Sequence, residues 1–226
     1  MSVVIPQSSF EFLKKLKQNN HRDWMQDHKK EYLANEKVLK KFYAEVENGL
    51  NKTDEIAKQK IFRIHRDIRF SKDKTPYNSH RSVSWSRAGA QRRGGYYLRL
   101  EPGNSFLAGG FFGPEPSDLL RIRKEFEMDA SEIREILKQK DFKKAFGGFN
   151  QEYTVKTAPK GFSKDDPNID LIRLKSYFVQ HPFTDEEVFA VDFKEKLIYH
   201  YELLHPFFTY MSVVLTTDLN GVSLID

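Results

Sequence analysis

The sequence predicts an α+β fold in one domain, with a central, mainly antiparallel sheet packed by N- and C-terminal helices. Three observations carry that reading. Helical apolar periodicity fills the first 50 residues, four short strand-like runs fall between residues 61 and 112, and helical spacing returns from Ser117 onward. Helices, then strands, then helices favour α+β over an alternating doubly wound sheet.

The elements follow in order. Ser8 and Glu11 have capping-box spacing, and Phe10, Leu13 and Leu16 recur at helical intervals until Asn19-Asn20 breaks the pattern. A second helix is expected from Arg22 to Leu50, with Leu39, Phe42, Val46 and Leu50 as its apolar stripe. The polar stretch to Lys60 reads as a loop. Ile61–Ile64, Ser82–Trp85, Tyr96–Leu100 and Phe106 through Phe112 read as strands, with Glu101-Pro102-Gly103-Asn104 as a turn between the last two. Gly109-Gly110 inside the last of these predicts a bulge or a close backbone approach. Beyond Ser117, Leu119, Leu120, Ile122 and Phe126 form a buried face; Ser131 opens another helix, and Phe142–Phe146 a short one stopped by Gly147. Residues 153–167 read as loop, and Tyr177–Val179 as a strand returning to the sheet. A long helix from Phe193 to Leu215 ends the pattern, kinked by Pro206.

Composition narrows the function classes. The 226 residues contain no cysteine, which removes disulfides, thiolate metal sites and a cysteine nucleophile together. A chain of this size buries roughly 70% of its unfolded surface and needs no such staple. No stretch approaches the roughly 20 apolar residues of a membrane-spanning helix. The start, Met1 to Pro6, lacks the features of a signal peptide, so a cytoplasmic protein without a membrane partner is expected. Nucleotide-cradling glycine loops, a dinucleotide fingerprint and a Gly-x-Ser-x-Gly elbow are missing, and no cofactor is expected. None of the seven histidines falls in a metal-ligand spacing, and no metal is expected. Most of the aromatic rings lie on apolar stripes, where core packing explains them better than base stacking.

Charge is the informative property. The net value is +5, but residues 63–99 alone hold ten basic and two acidic side chains, a local +8. Eight of those ten are Arg, whose planar fork grips phosphate or carboxylate with two hydrogen bonds. Within the segment, Arg63-Ile-His-Arg66-Asp67-Ile-Arg69-Phe70, followed by Lys74 and Tyr77, straddles a predicted strand end, where rigid scaffolds present functional groups.

This Arg-x-x-Arg-Asp-x-Arg-Phe pattern resembles the signature of an uncharacterised, mainly bacterial family, domain of unknown function 2461. The resemblance extends to the Phe12–Trp24 opening, Gly94-Gly-Tyr-Tyr97 and Ala158-Pro-Lys-Gly-Phe162. It implies no activity and no catalytic role. It marks Arg63, Arg66, Asp67, Arg69, Lys74 and Tyr77 as the positions to test.

Three functions compete. In the preferred one, Arg63, Arg66, Arg69 and Lys74 bind a phosphorylated or carboxylated small molecule while Asp67 and Tyr77 orient, and His65 is an acid–base candidate should the protein be an enzyme. The alternatives are a nucleic-acid-binding module or a protein-interaction module using the basic 63–99 segment. In either alternative the arginine motif is a structural salt-bridge network, paired with acids of the helix that begins at Pro116.

Overall fold

The computed structural model describes residues 3–225. Its elements are α1 (Gln7–Gln18), α2 (Arg22–Asp27), α3 (Lys29–Leu50), β1 (Ile56–Ile61), β2 (Arg81–Arg87), β3 (Gly95–Leu100) and β4 (Ser105–Phe111). They continue as α4 (Pro116–Met128), α5 (Ser131–Lys138), α6 (Lys140–Phe146), α7 (Ile169–Ile172), β5 (Tyr177–Phe183), α8 (Asp185–Phe189), α9 (Phe193–Glu202) and α10 (His205–Thr216). The strands form one antiparallel sheet in sequence order, β1-β2-β3-β4-β5, and the fold class is α+β as the sequence predicts. Among the described residues, no helix is long and apolar enough to cross a membrane.

The chain divides into two compact units. The first runs to Trp85 and adds Tyr97–Leu107 and Pro182–Tyr199; the second holds Ser86–Tyr96, Ala108–His181 and the chain from His200 onward. In the first unit, α3 turns Leu39, Phe42, Tyr43 and Val46 inward, all buried. Tyr43 meets Trp85 of β2 edge-on at 6.4 Å, and Phe42 stacks on Phe193 at 5.7 Å. Each ring so buried contributes about 1.5–3 kcal/mol. In the second unit, Tyr96 packs edge-to-face on Tyr201 and Phe208, at 4.9 and 5.1 Å.

Strand alternation sorts the sheet into two faces. In the first unit, Arg81, Val83, Trp85, Leu98, Leu100 and Leu107 lie on the buried, helix-covered face. Lys60, Phe62, Ser84, Tyr97, Arg99 and Phe106 alternate onto the other and remain partly or fully exposed.

The turn Glu101–Asn104 forms as expected, closed by the Asn104 amide donating to Glu101 O at 2.9 Å, with Gly103 at φ 71°. The close approach at Gly109-Gly110 is also present. A Cβ on Gly110 would collide with the Tyr177 carbonyl, and one on Gly109 with Leu204.

Five expectations need correction. Ser8 and Glu11 build no capping box: the helix starts after Pro6 without a side-chain cap, and the Ser8 hydroxyl instead donates to Asn35 Oδ1 at 3.1 Å. The single helix from Arg22 is two, divided at His28, whose ring stacks on Trp24 at 3.9 Å. The first strand is Ile56–Ile61, not Ile61–Ile64. It is an edge strand with Ala57, Lys58 and Lys60 exposed, so the apolar alternation that marks a half-buried strand is absent. Leu120 lies outside the buried face of α4, 52% exposed. The C-terminal helix is interrupted rather than kinked. α9 stops at Glu202, and Pro206 sits in the first turn of α10, where its missing N–H leaves no hydrogen bond unmade.

Candidate functional site

The arginine motif occupies the excursion between β1 and β2, within the first unit. Three features close it into a hairpin-like loop. The Arg66 amide donates to Pro76 O at 2.9 Å, the Asn78 amide to Ile64 O at 2.7 Å, and His65 pairs with Tyr77 as an isolated antiparallel bridge. Ile64 is buried beneath the loop, and Tyr77, 7% exposed, is held by Asn20, whose side-chain amide donates to Tyr77 O at 2.8 Å and accepts its N–H at 3.1 Å. Asn20 reads in the sequence as a helix breaker; its second role, clamping a loop 57 positions away, has no local signature.

The six expected site residues are not focused on one point. Arg66 is committed inside the loop: Nη1 pairs with Asp73 at 2.5 Å, donates to Thr75 O at 3.0 Å and reaches the Thr75 hydroxyl, while Nη2 donates to Ser71 at 3.4 Å. Arg69 grips Asp67 with a two-pronged fork, Nε to Oδ1 at 3.0 Å and Nη2 to Oδ2 at 2.7 Å. Lys74 donates to Ile68 O at 2.9 Å. Tyr77 turns inward, its ring 5.0 Å from that of His65. Phe70, the aromatic of the signature, is 96% exposed with the Arg69 guanidinium 5.9 Å from its centroid. Arg63 differs from all of these. Its side chain is exposed and, among the described residues, its guanidinium has no hydrogen-bond or ion-pair partner.

The loop's carboxylates are tuned by these contacts. The Arg69 fork holds Asp67 below the usual carboxylate range, helped by the nearby Arg63 charge. Asp73 is lowered by the Thr75 amide, the Thr75 hydroxyl and Arg66, in that order. Both therefore stay ionised well into acid and keep the loop's arginines in place.

Two open clefts flank the His65–Arg66 ridge. One, about 420 Å³, is lined by Lys60, Phe62, Arg63, His65, Arg66 and Asn78. The other, about 470 Å³, includes Arg22, Asp23, Gln26, Arg66, Pro76 and Tyr77. Lys60 lay outside the expected site because its strand read as a loop.

Four further arginines of the basic segment are spent on structure. Arg81, 4% exposed, makes a two-pronged pair with Glu36 (2.5 and 2.9 Å) and donates to Phe62 O at 2.9 Å. Arg87 donates to Arg93 O and lies over the Phe208 ring, Arg93 pairs with Asp118, and Arg99 with Glu101 at 2.7 Å. Three acids of α4 are paired within their own unit. Asp118 takes Arg93, Glu125 takes Arg121 at 2.7 Å, and Glu127 takes Lys124 at 2.6 Å. The ion pairs of the motif run instead to its own acids, Arg66 to Asp73 and Arg69 to Asp67, a choice that charge content alone does not make.

The family model described as a conserved hypothetical protein (DUF2461) matches residues 8–210, from the first turn of α1 into α10 and across the whole arginine loop. No curated protein and no solved structure matches the chain. With nearly its entire length matched, the chain belongs to the DUF2461 family.

Proposed function

We propose that this is a cytoplasmic binding protein for a phosphorylated or carboxylated ligand, seated in the 420 Å³ cleft beside Arg63. The observation that carries the reading is the contrast between Arg63 and its neighbours. Arg66, Arg69 and Lys74 spend their donors within the loop, whereas Arg63 presents an unengaged fork at the cleft wall, with Lys60 and Asn78 beside it. An unengaged guanidinium with a second cation nearby suits an anionic oxygen cluster, which Arg holds through two parallel hydrogen bonds. Arg66, fixed by Asp73 and Thr75, shapes the wall and adds a positive field. Asp67, held in turn by Arg69, lies at the cleft edge and disfavours ligands whose charge sits too far along the loop. His65 borders both clefts and is the group placed to exchange a proton with a bound ligand.

The test is a thermal-shift titration with inorganic phosphate, citrate and sugar phosphates on the native protein and on Arg63→Gln. A ligand at 100 times its Kd should add about 2.7 kcal/mol of stability by mass action. Saturable stabilisation of the native protein, absent from Arg63→Gln, is expected. No response to any anion would overturn the reading.

A further inference from the structure

The sheet face opposite the helices carries a feature that the small-anion reading leaves unused. Phe62, just past the end of β1, lines up with Tyr97 of β3 and Phe106 of β4, three different stretches of chain. Their ring centroids are 6.0 Å apart for Phe62–Tyr97 and 5.9 Å for Tyr97–Phe106. All three are half-buried, while the opposite-facing neighbours Leu98 and Leu107 are fully buried. A cation flanks each end of the row. The Lys60 ammonium lies 5.0 Å from the Phe62 centroid, and the Arg99 guanidinium 5.8 Å from that of Phe106. Ser84 alternates onto the same face, as does exposed Lys58. The row runs into the anion cleft, because Lys60 and Phe62 line that cleft together with Arg63.

We infer that this face binds a single-stranded polynucleotide, its bases stacking along Phe62, Tyr97 and Phe106 and its phosphates meeting Lys58, Lys60 and Arg63. The inference rests on the anion-binding reading of the cleft and names the ligand class. Three arguments favour this occupant. Aromatic rings on a solvent-facing antiparallel sheet accept two or three unstacked bases whatever their identity. Cations lie beside the rings, so one strand can stack its bases while its phosphates meet positive charge, whereas a protein partner's apolar surface would leave Lys58, Lys60 and Arg63 without counter-charge. Finally, the rings are shared among strands that the sheet holds rigid, so little ordering cost falls on the protein. Much of the basic segment is not involved: Arg81, Arg87 and Arg93 are engaged internally, and of the three cations that meet phosphate only Arg63 belongs to residues 63–99.

The test compares three fluorescent probes by anisotropy on the full chain: a dodecamer of deoxythymidine, a dodecamer of uridine, and an abasic phosphodiester oligomer of equal charge. Tighter binding of either base-bearing strand than of the abasic one, by about tenfold or more, is expected from stacking worth about 1–3 kcal/mol per base. The slope of log K against log salt should be about −2, since three cations neutralise phosphates on a single strand. The double variant Phe62→Leu/Phe106→Leu keeps apolar bulk on that face but leaves only Tyr97 to stack, and should narrow the gap between base-bearing and abasic probes. Equal affinity of the native protein for base-bearing and abasic strands would overturn the inference while leaving the anion reading intact. Failure of every probe, together with failure of inorganic phosphate and citrate in the thermal-shift titration, would overturn both. The native-protein comparison needs no variant to fold.

Discussion

Arg81 and Arg66 stand 15 positions apart in one basic segment, and each ends in a pair with a carboxylate, yet the two pairs do different work. Arg81 meets Glu36 at the base of the sheet, both nearly sealed from water, and its third nitrogen holds the Phe62 carbonyl where β1 gives way to the loop. Arg66 meets Asp73 at the surface, inside a loop whose other arginine, Arg69, is gripped by Asp67 in open solvent. Burial sets the difference. Glu36 without Arg81 would be a carboxylate stranded in a low-dielectric interior, whereas Asp73 without Arg66 would simply be hydrated. The buried pair therefore fixes where the loop begins, and the exposed pairs fix how its tip is arranged. Arg63, among the described residues, has no hydrogen-bond or ion-pair partner for its guanidinium, which is why the proposed ligand is assigned to it.

Removing one member of the buried pair is the strongest way to break this contrast. Arg81→Met leaves Glu36 uncompensated and should cost about 3–5 kcal/mol, read as a lowered urea midpoint. The double variant Glu36→Leu/Arg81→Met should recover most of that loss, because the penalty lies in the stranded charge. A cost below about 1 kcal/mol for Arg81→Met alone would show the pair to be no more than a surface bridge.

His80, immediately before Arg81, sharpens the comparison through pH. Burial, and then the Arg99 and Arg81 charges, push its imidazole down to about 4 against only partial opposition from Glu101. The unfolded chain takes up this proton near 6.5, the folded chain only near 4, so stability is lost as pH falls between those values. After allowance for its partial exposure the change should be about 1–2 kcal/mol. His80→Asn should flatten that part of the profile; an unchanged slope would place the titration elsewhere.

The exposed arginines should respond least. Arg66→Gln or Arg69→Gln is expected to leave the urea midpoint barely moved, because exposed pairs contribute little to global stability. The effect belongs in the loop, as faster amide exchange at Arg66 and Asn78, whose N–H groups close it. Acid should do the same without mutation. Asp67 and Asp73 have folded values below the ordinary 3.8, so their contribution is present above that pH and is lost as pH falls through the lowered values. Exchange at the Thr75 and Arg69 amides, which donate to Asp73 and Asp67, should accelerate only there. Acceleration already at pH 6 would mean that other contacts order the loop.

The sequence by itself determined much of this protein. Periodicity placed the apolar stripe of α3, the strands β3 and β4 and the hairpin turn at Pro102-Gly103, because burial of one face imposes spacing that survives any tertiary context. It also located the arginine loop, since a run of Arg beside Asp and Tyr stands out from an otherwise mildly acidic chain. It missed β1, an edge strand with little to bury, and it read one C-terminal helix where Pro206 starts a second. What only the tertiary structure decided is which arginine does what. Residues 63–99 carry eight guanidiniums of identical chemistry, and nothing local distinguishes Arg81 from Arg63. Glu36 reaches Arg81 from 45 positions away and Asn20 reaches Tyr77 from 57, while Phe62, Tyr97 and Phe106 become a row only when their strands pair. A charge or a ring takes its role from the dielectric and the neighbours around it, and those are supplied by distant parts of the chain.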